Sequence, residues 1–443
     1  MKYFFSLYTV IVLLALYGDI FKRFLPPMIS LILLYGLACL ILVCASFGKK
    51  VSSYEISRGG ELLYISSMAL IFLYSIQILF PSADFIWSLS HAVYMIVPLS
   101  FIAVFSHRCN KFDLTRLVKI FFLLMIPINF IGLIQYYVDP NFLISTAYTD
   151  DDLGGVILRN FLEGTYFSRY PSIFASADRY SAIGLMQFYF TLIEIRYGNA
   201  STVKSKFWIL FNLVSSMVAL LVAGARSRIL IAGIAFSLVY ISYVVAPLFT
   251  KKSSRRELLR PLFFFLALSG GVWLYSFFSM FTETEGSELF PVITLLLQSI
   301  EKGDFGARLL EAFEHSIPPE GVQLIGFGLG SIGFGKPGEF GIESMWLESG
   351  IIMTIFMLLM YLLMLYSVLS NLTDSFFNGK SLDVGVLCIP LLLFIFALLA
   401  GLTSTFELST GVLIGCTLPV LLRRDKINFI HGNSKFIHLD EKI

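Results

Sequence analysis

The chain has 443 residues, of which 57% are hydrophobic and only 14% are charged, and its formal net charge is +2. Soluble domains carry about 25% charged residues, so this composition excludes an ordinary globular cytosolic protein. Apolar runs of about 20 residues, the length needed to cross a bilayer, recur from end to end. The runs are continuously apolar and do not alternate with polar residues, which predicts membrane-spanning helices and not a β-barrel.

The N-terminal apolar run is the first predicted span. Met1 and Lys2 precede it, and no small-residue cleavage site follows it, so the pattern favours a retained span over a signal peptide. The five cysteines show no metal-binding spacing, and four of them lie in apolar runs. The sequence therefore predicts neither a zinc site nor a disulfide framework.

Twelve spans are predicted, at 3–18, 24–46, 61–80, 86–106, 117–137, 180–197, 207–224, 229–249, 261–280, 347–370, 384–402 and 408–422. Short loops rich in lysine and arginine face the cytoplasm. Such clusters follow spans 2, 4, 6, 8 and 12, which supports the span count and predicts that both termini are cytoplasmic. Two features fit less well, because Lys22 and Arg23 fall in a loop assigned to the outside and the loop after span 10 has only Lys380.

This topology leaves two long external loops, at 138–179 and 281–346, in a single membrane domain that occupies 1–443. Loops of such length are usually functional or disordered. Both interleave aromatic residues and glycines with charges, which favours an ordered, functional loop in each case. The expected fold is an all-α polytopic membrane protein with about 12 transmembrane helices.

Arg226 and Arg228 occupy a very short external turn between spans 7 and 8, where the positive-inside pattern does not expect cations. They also open span 8, whose N-terminal amides favour anions. Two guanidinium groups at such a helix end would suit a phosphate or pyrophosphate. The alternative is that both side chains anchor the turn at the lipid headgroups.

Glu343 lies where the second long loop enters span 10. A carboxylate at a low-dielectric membrane edge can act as a general base. Alternatively, it complements the N-terminal dipole of the span. Glu348, just over one turn later, has the same two interpretations.

The long loops contain further candidates for contact with a substrate. Arg308 begins an amphipathic stretch, where it faces a substrate or pairs with Glu311. His315 is a candidate base or a solvated loop histidine. Arg169 and Arg179 flank an aromatic segment and would bind sugar or phosphate, or pair with the acidic run at 150–152. A glycine-rich run from 326 to 335, with Gly326 and Gly328, would bring backbone close to a lipid-linked substrate or simply pack tightly; it lacks the lysine–serine pair of a nucleotide-binding loop.

Four of these segments occur in an order that resembles the O-antigen polymerase and O-antigen ligase family (Wzy and WaaL), over roughly residues 160–370. They are the arginine-bearing aromatic segment from Arg169 to Tyr180, the external turn Gly224-Ala-Arg-Ser-Arg228, the loop with Arg308 and Gly326-Phe-Gly-Leu-Gly-Ser331, and Glu343-Ser-Met-Trp-Leu-Glu-Ser-Gly-Ile351 at the start of a span. The resemblance implies a GT-C-like helical glycosyltransferase of the bacterial inner membrane. Such an enzyme acts outside the membrane on undecaprenyl-pyrophosphate-linked glycans, without nucleotide sugar, cofactor or metal.

The resemblance also implies roles for individual residues. External arginines would hold the diphosphate, which maps onto Arg226 and Arg308 and less firmly onto Arg228 and Arg169. Ligases often carry a histidine where this chain has Glu343-Ser344, which favours a polymerase with Glu343 as the base. The arginines would stabilise charge on the leaving pyrophosphate while Glu343 deprotonates the attacking hydroxyl.

Two other functions stay open, a glycan ligase and a flippase for lipid-linked oligosaccharides. Transporters tend to have inverted repeats and broken, polar spans, and the sequence suggests neither. The partners expected for a polymerase are the lipid-linked glycan, membrane lipids, a chain-length regulator and a flippase, but no nucleic acid.

The topology predicts that both long loops are accessible from outside. In a chain whose own cysteines are replaced by serine, Asp151→Cys and Lys336→Cys should react with a membrane-impermeant thiol label in spheroplasts. Ser434→Cys, in the predicted cytoplasmic tail, should react only after lysis. Labelling of either loop cysteine only after lysis would contradict the topology and the mechanism built on it.

Overall fold

The computed structural model describes residues 7–47, 58–78, 85–107, 114–139, 142–143, 157–162, 165–174, 177–197, 203–224, 228–229, 231–233, 323–326, 341–377 and 408–421. Within these ranges the chain is mainly helical. The helices are α1 (Leu7–Phe24), α2 (Pro27–Ser46), α3 (Arg58–Gln77), α4 (Phe85–His107), α5 (Leu114–Tyr137), α6 (Ala177–Tyr197), α7 (Val203–Ala223), α8 (Gly341–Phe377) and α9 (Leu408–Leu421).

Each of these nine described helices coincides with one predicted span to within a few residues at most ends. The largest differences are at α8, which begins six residues before the predicted span at 347 and ends seven residues after 370. The last residues of the second long loop are therefore helical. The predicted spans at 261–280 and 384–402, and most of the one at 229–249, lie outside the described residues.

Three described stretches are long and apolar enough to cross a membrane, namely Gly60–Gln77, Arg116–Tyr137 and Lys206–Ala223. Shorter apolar helical stretches are Leu7–Gly18, Ile32–Ser46, Met95–His107 and Trp346–Met360. Continuous helices of this kind satisfy their own backbone hydrogen bonds, as a membrane protein requires. The total of twelve spans stays a prediction.

Contacts between helices show how neighbours run. Tyr64 near the start of α3 stacks on His107 at the end of α4, so these two helices are antiparallel. The Arg116 guanidinium at the start of α5 lies 5.4 Å from the ring of Tyr8 at the start of α1, so these two are parallel. Both observations agree with the up-and-down order that alternating basic loops predict.

A buried polar network joins α5, α6 and α7. The Asn129 amide nitrogen on α5 donates to Gln187 Oε1 on α6 at 3.0 Å and to Ser215 Oγ on α7 at 2.6 Å. The Tyr180 hydroxyl donates to Asn129 Oδ1 at 3.0 Å. In an apolar bundle such side-chain bonds supply contacts that the hydrophobic effect cannot supply between helices in lipid. They fix α6 and α7 against α5.

Gly132 allows this network to form. A Cβ at that position would lie 2.7 Å from the Tyr180 hydroxyl oxygen, which is too close for a carbon atom. The missing side chain lets α6 approach α5 so that Tyr180, fully buried, reaches Asn129.

The first long loop contains a β-hairpin that the sequence analysis did not predict. Strand β1 (Ile157–Leu162) pairs antiparallel with β2 (Thr165–Arg169). The hairpin leads directly into the turn before α6. The all-α prediction therefore holds for the described bundle, while the segment before α6 adds two strands.

Candidate functional site

Arg228, which follows α7 in the chain, binds to the start of α6. Its Nη1 donates to the Asp178 carbonyl and to the Ser181 hydroxyl, and it lies 3.6 Å from the Asp178 carboxylate. The Arg228 side chain is 15% exposed, whereas that of Asp178 is 50% exposed. Arg228 therefore joins two segments of the chain that the sequence analysis treated separately.

A backbone hydrogen bond reinforces this junction. The Tyr170 amide, just after β2, donates to the Val222 carbonyl near the end of α7 at 3.3 Å. We call the group of Tyr170, Asp178, Ser181 and Arg228 the arginine corner. Arg179 is half-buried in the first turn of α6, next to Asp178, so two of the predicted arginines lie at this end of α6.

Ser172 holds the turn of the arginine corner in an unusual conformation. Its φ of +53° is in the left-handed region, which a residue other than glycine seldom adopts. Its hydroxyl donates to the Ile128 carbonyl on α5 at 2.6 Å, and its amide donates to Gln135 Oε1 at 2.7 Å. These bonds to α5 hold a turn that would otherwise relax.

Three tyrosines lie beside the same turn. The Tyr136 ring contacts the Tyr137 ring, with centroids 4.7 Å apart, and the Tyr170 ring, with centroids 5.4 Å apart. Both pairs are edge-to-face, the arrangement that the charge distribution of aromatic rings favours. Because Tyr137 is 57% exposed, the cluster presents an aromatic surface next to the arginine corner.

A second group of predicted residues meets at a break in α8. Gly350 has φ +78° and ψ 179°, which interrupts the helix between 341–349 and 351–377. Gly326, with φ +79°, lies against it. A Cβ on Gly350 would lie 2.2 Å from the Gly326 nitrogen, and one on Gly326 would lie 2.4 Å from the Glu348 carbonyl oxygen. Only two glycines permit this approach, and we call it the glycine contact.

Backbone hydrogen bonds extend the glycine contact along both segments. The Ile351 amide donates to the Gln323 carbonyl at 3.2 Å, and the Ile352 amide donates to the Leu324 carbonyl at 3.3 Å. These amides lie at the start of the second part of α8, where the first backbone amides have no hydrogen-bond partner within the helix itself. The segment 323–326 therefore caps the broken helix with its own carbonyls.

Gln77, the last residue of α3, completes the glycine contact. Its Nε2 donates to the Glu348 carbonyl at 3.1 Å and to the Ile325 carbonyl at 3.3 Å. Its Oε1 is buried and has no hydrogen-bond partner among the described residues, so it can accept one more hydrogen bond. The fully buried Tyr74, one turn earlier on α3, lies beside Ser349 and Glu348.

Glu348 is a carboxylate that the structure encloses. It is 9% exposed and lies in the last turn of the first part of α8, two residues before the break at Gly350. Ionisable residues this deeply enclosed in a membrane protein usually serve a function. Sequence position alone gave Glu348 the weaker case, because hydropathy does not reveal the helix break at Gly350, two residues after Glu348.

The structure thus brings some predicted residues together and leaves others undescribed. Arg228 and Arg179 lie at the arginine corner, β2 ends at Arg169, and Gly326 forms the glycine contact. Glu343 lies in the first turn of α8. Arg226, Arg308, His315 and Gly328, and the side chains of Glu343 and Arg169, lie outside the described residues.

Sequence reasoning missed Gln77, Gln135, Ser172 and Asp178. Nothing in their spacing marks the first three, since a glutamine or serine near a helix end is unremarkable in a sequence. Asp178 had a usable signal, because an acidic residue in the first turn of α6 complements the helix dipole. Among the described residues no group of three histidine, cysteine or acidic side chains could hold a metal ion.

The glycine contact predicts that Gly350→Ala destabilises the fold. The backbone at Gly350 is open essentially to glycine alone, and such strain costs about 1–3 kcal/mol. The added methyl group would also overlap the Gly326 backbone. We expect a clearly lower apparent melting temperature for the detergent-solubilised protein in a thermal unfolding assay.

Gly36→Ala provides a matched control. Gly36 lies in α2, and a Cβ there would meet nothing within 4 Å. Because alanine is favoured over glycine in helices by about 1 kcal/mol, this variant should melt at or above the wild-type temperature. Equal melting of the Gly350→Ala and Gly36→Ala proteins would disprove the close approach.

No protein-family model matches the sequence, and no curated protein is significantly similar to it. The function is therefore inferred from the residues and their contacts.

Proposed function

We propose that the protein is a polysaccharide polymerase of the bacterial inner membrane. It joins undecaprenyl-pyrophosphate-linked oligosaccharide repeat units on the external face, to make an O-antigen, capsular polysaccharide or exopolysaccharide. External arginines bind the diphosphate of the donor, and Glu343 removes the proton of the attacking sugar hydroxyl. The donor is already activated by its pyrophosphate, so the reaction requires no nucleotide sugar.

The observation that carries the proposal is the junction of two distant segments at the arginine corner. Tyr170 bonds to Val222, and Arg228 bonds to Asp178 and Ser181. The same two segments carry Arg169, Arg179 and Arg226, the arginines to which the family resemblance assigns contact with the diphosphate. Arginine suits this task because its planar fork matches phosphate oxygens.

Part of the positive charge at this junction is already balanced. Asp178 lies 3.6 Å from Arg228, and the two Nη1 hydrogen bonds direct that guanidinium towards α6. Arg228 therefore acts mainly by holding the turn in place. This assigns the direct contact with diphosphate to Arg226, two residues earlier in the same turn.

The break in α8 bears on the flippase alternative. Broken helices are common in transporters, where the free amides of a helix start point at an anionic substrate. Here the Ile351 and Ile352 amides are bonded to Gln323 and Leu324. Because these amides are occupied by protein carbonyls, the break resembles a loop anchor more than a transport site, which favours the enzyme.

Lipid-linked intermediates distinguish the candidate functions in a deletion strain. Loss of a polymerase should leave single repeat units on the lipid carrier at the external face and abolish long polymer. Loss of a ligase would leave long polymer on the carrier, and loss of a flippase would trap single units at the cytoplasmic face. Mass spectrometry of extracted lipids identifies which intermediate accumulates. Whether an enzyme added outside the cell can digest that intermediate shows on which face of the membrane it lies.

Complementation of that strain tests Arg226. Arg226→Ala should restore little or no polymer, and Arg226→Lys should restore only part of the wild-type amount, because an ammonium group cannot reproduce bidentate binding. Polymer length is read on gels at equal protein expression. Wild-type polymer from Arg226→Ala would reduce the arginine to a headgroup anchor.

Glu343→Gln tests the general base. The substitution preserves size but removes the ability to accept a proton, and general-base catalysis typically supplies about 10²–10⁴-fold in rate. Loss of a charge that only complements a helix dipole costs about 0.3–1 kcal/mol of stability. Purified Glu343→Gln protein should therefore bind lipid-linked repeat units yet elongate them at least about a hundredfold more slowly. Near-normal elongation would leave Glu343 as a helix-start residue.

A further inference from the structure

Among the described residues, the side chain of Gln135, near the end of α5, is bonded to backbone groups only. Its Oε1 accepts a hydrogen bond from the Ser172 amide at 2.7 Å, while its Nε2 donates to the Ser172 carbonyl at 2.9 Å. The same nitrogen donates to the Phe142 carbonyl at 2.8 Å. Gln135 is fully buried. Its side chain alone satisfies both the backbone amide and the backbone carbonyl of Ser172.

Gln77, at the end of α3, is bonded in the same manner. Its Nε2 donates to the carbonyls of Ile325 and Glu348, which belong to the two segments of the glycine contact. It is 3% exposed. The segments that it joins are 248 and 271 residues further along the chain.

Both glutamines bond to backbone at or beside residues in the left-handed region. Ser172 has φ +53°, while Gly326 and Gly350 have φ +79° and +78°. A residue such as Ser172 keeps this conformation only where surrounding bonds over-determine it, whereas glycine adopts it without strain. Gln135 supplies two of the bonds that hold Ser172, and Gln77 joins the segments of the two glycines through Ile325 and Glu348.

Gln187 shows that this pattern is not general to buried glutamines in the bundle. It lies on α6, is 1% exposed, and its amide is bonded to the side chains of Asn129 and Asn212. Its amide group therefore joins helices to each other. Gln77 and Gln135 instead join helix ends to loop backbone.

We infer that Gln77 and Gln135 are positioning residues of the active site. Gln135 fixes the turn that follows Arg169 and leads to the arginine corner. Gln77 fixes the segment that contains Gly326 against the break at Gly350. That break ends the first part of α8, which carries Glu343. This inference rests on the proposed function for the identity of the catalytic groups. The hydrogen bonds by which the two glutamines fix the loops do not depend on any substrate.

Glutamine suits the task for a physical reason. Its amide offers one donor group and one acceptor, like a peptide group, and it is neutral, so burial costs far less than for a charged side chain. An apolar residue of similar size would leave buried backbone groups without a partner. Asparagine is shorter by one methylene group and would not span the same gap.

Amide hydrogen exchange tests the fixing directly, with full-length protein in detergent and no substrate. In Gln135→Met, peptides that cover 168–174 should exchange about twofold to tenfold faster, which corresponds to the loss of an ordinary net hydrogen bond. In Gln77→Met, the increase should appear in peptides that cover 323–326 and 348–352. If either variant cannot be purified, Gln135→Asn or Gln77→Asn should show the same local increase.

Gln187→Met is the matched control, because it removes a buried amide of the same size without touching loop backbone. It should leave exchange at 168–174 and 323–326 as in the wild type. Unchanged exchange in the Gln77 and Gln135 variants, or an equal increase in all three, would overturn the inference.

Elongation of lipid-linked repeat units supplies the second measurement. Below the melting temperature of every variant, the Gln77 and Gln135 variants should elongate at least about tenfold more slowly than the wild type, since small displacements of catalytic groups are costly. Loosened loops with wild-type elongation would overturn the assignment as positioning residues. A wild-type protein that elongates nothing would instead contradict the proposed function, and the exchange result would still decide whether the glutamines fix the loops.

Discussion

A backbone amide or carbonyl that is buried where a helix ends or breaks needs a partner inside the protein, because neither lipid tails nor apolar side chains offer one. The described fold meets this requirement with few groups. Gln77 and the glycine contact satisfy the break in α8, while Gln135 and Ser172 satisfy the turn before α6. The positions of the arginine corner and of Glu348 follow from these bonds, since both lie within a few residues of them.

The two groups of contacts stand on different helices. The arginine corner stands on α5, α6 and α7, which the Asn129 network fixes to each other. Glu348 and Gly326 stand on α3 and α8, and α8 also carries Glu343. In the proposed reaction, a donor held by arginines and an acceptor activated by Glu343 would thus be held by separate groups of helices. Their relative spacing then depends on how these groups pack within the bundle.

Hydropathy predicted the described helices because burial in lipid requires long apolar runs, and α1 to α7 all coincide with such runs. The break at Gly350 could not be predicted, since glycine within an apolar run is common in membrane helices. Arg228 illustrates the limit for the site. Its position in an external turn was visible, but its partners, Asp178 and Ser181, lie about 50 residues away in sequence and were fixed only by tertiary packing. Gln77 and Gln135 carry no signal in a single sequence that separates them from Gln187.

The glycine contact has a consequence for chain length. Because Gly326 touches Gly350, the contact joins two points of the chain that are 24 residues apart and lie beside the end of α3. The entropy of closing such a loop grows slowly, by about 0.6 kcal/mol for each doubling of its length. Insertions placed before Gly341 would therefore add little to the entropic cost of forming the glycine contact, provided that both glycines and Gln77 are kept, whereas insertions within 341–349 would interrupt the helix.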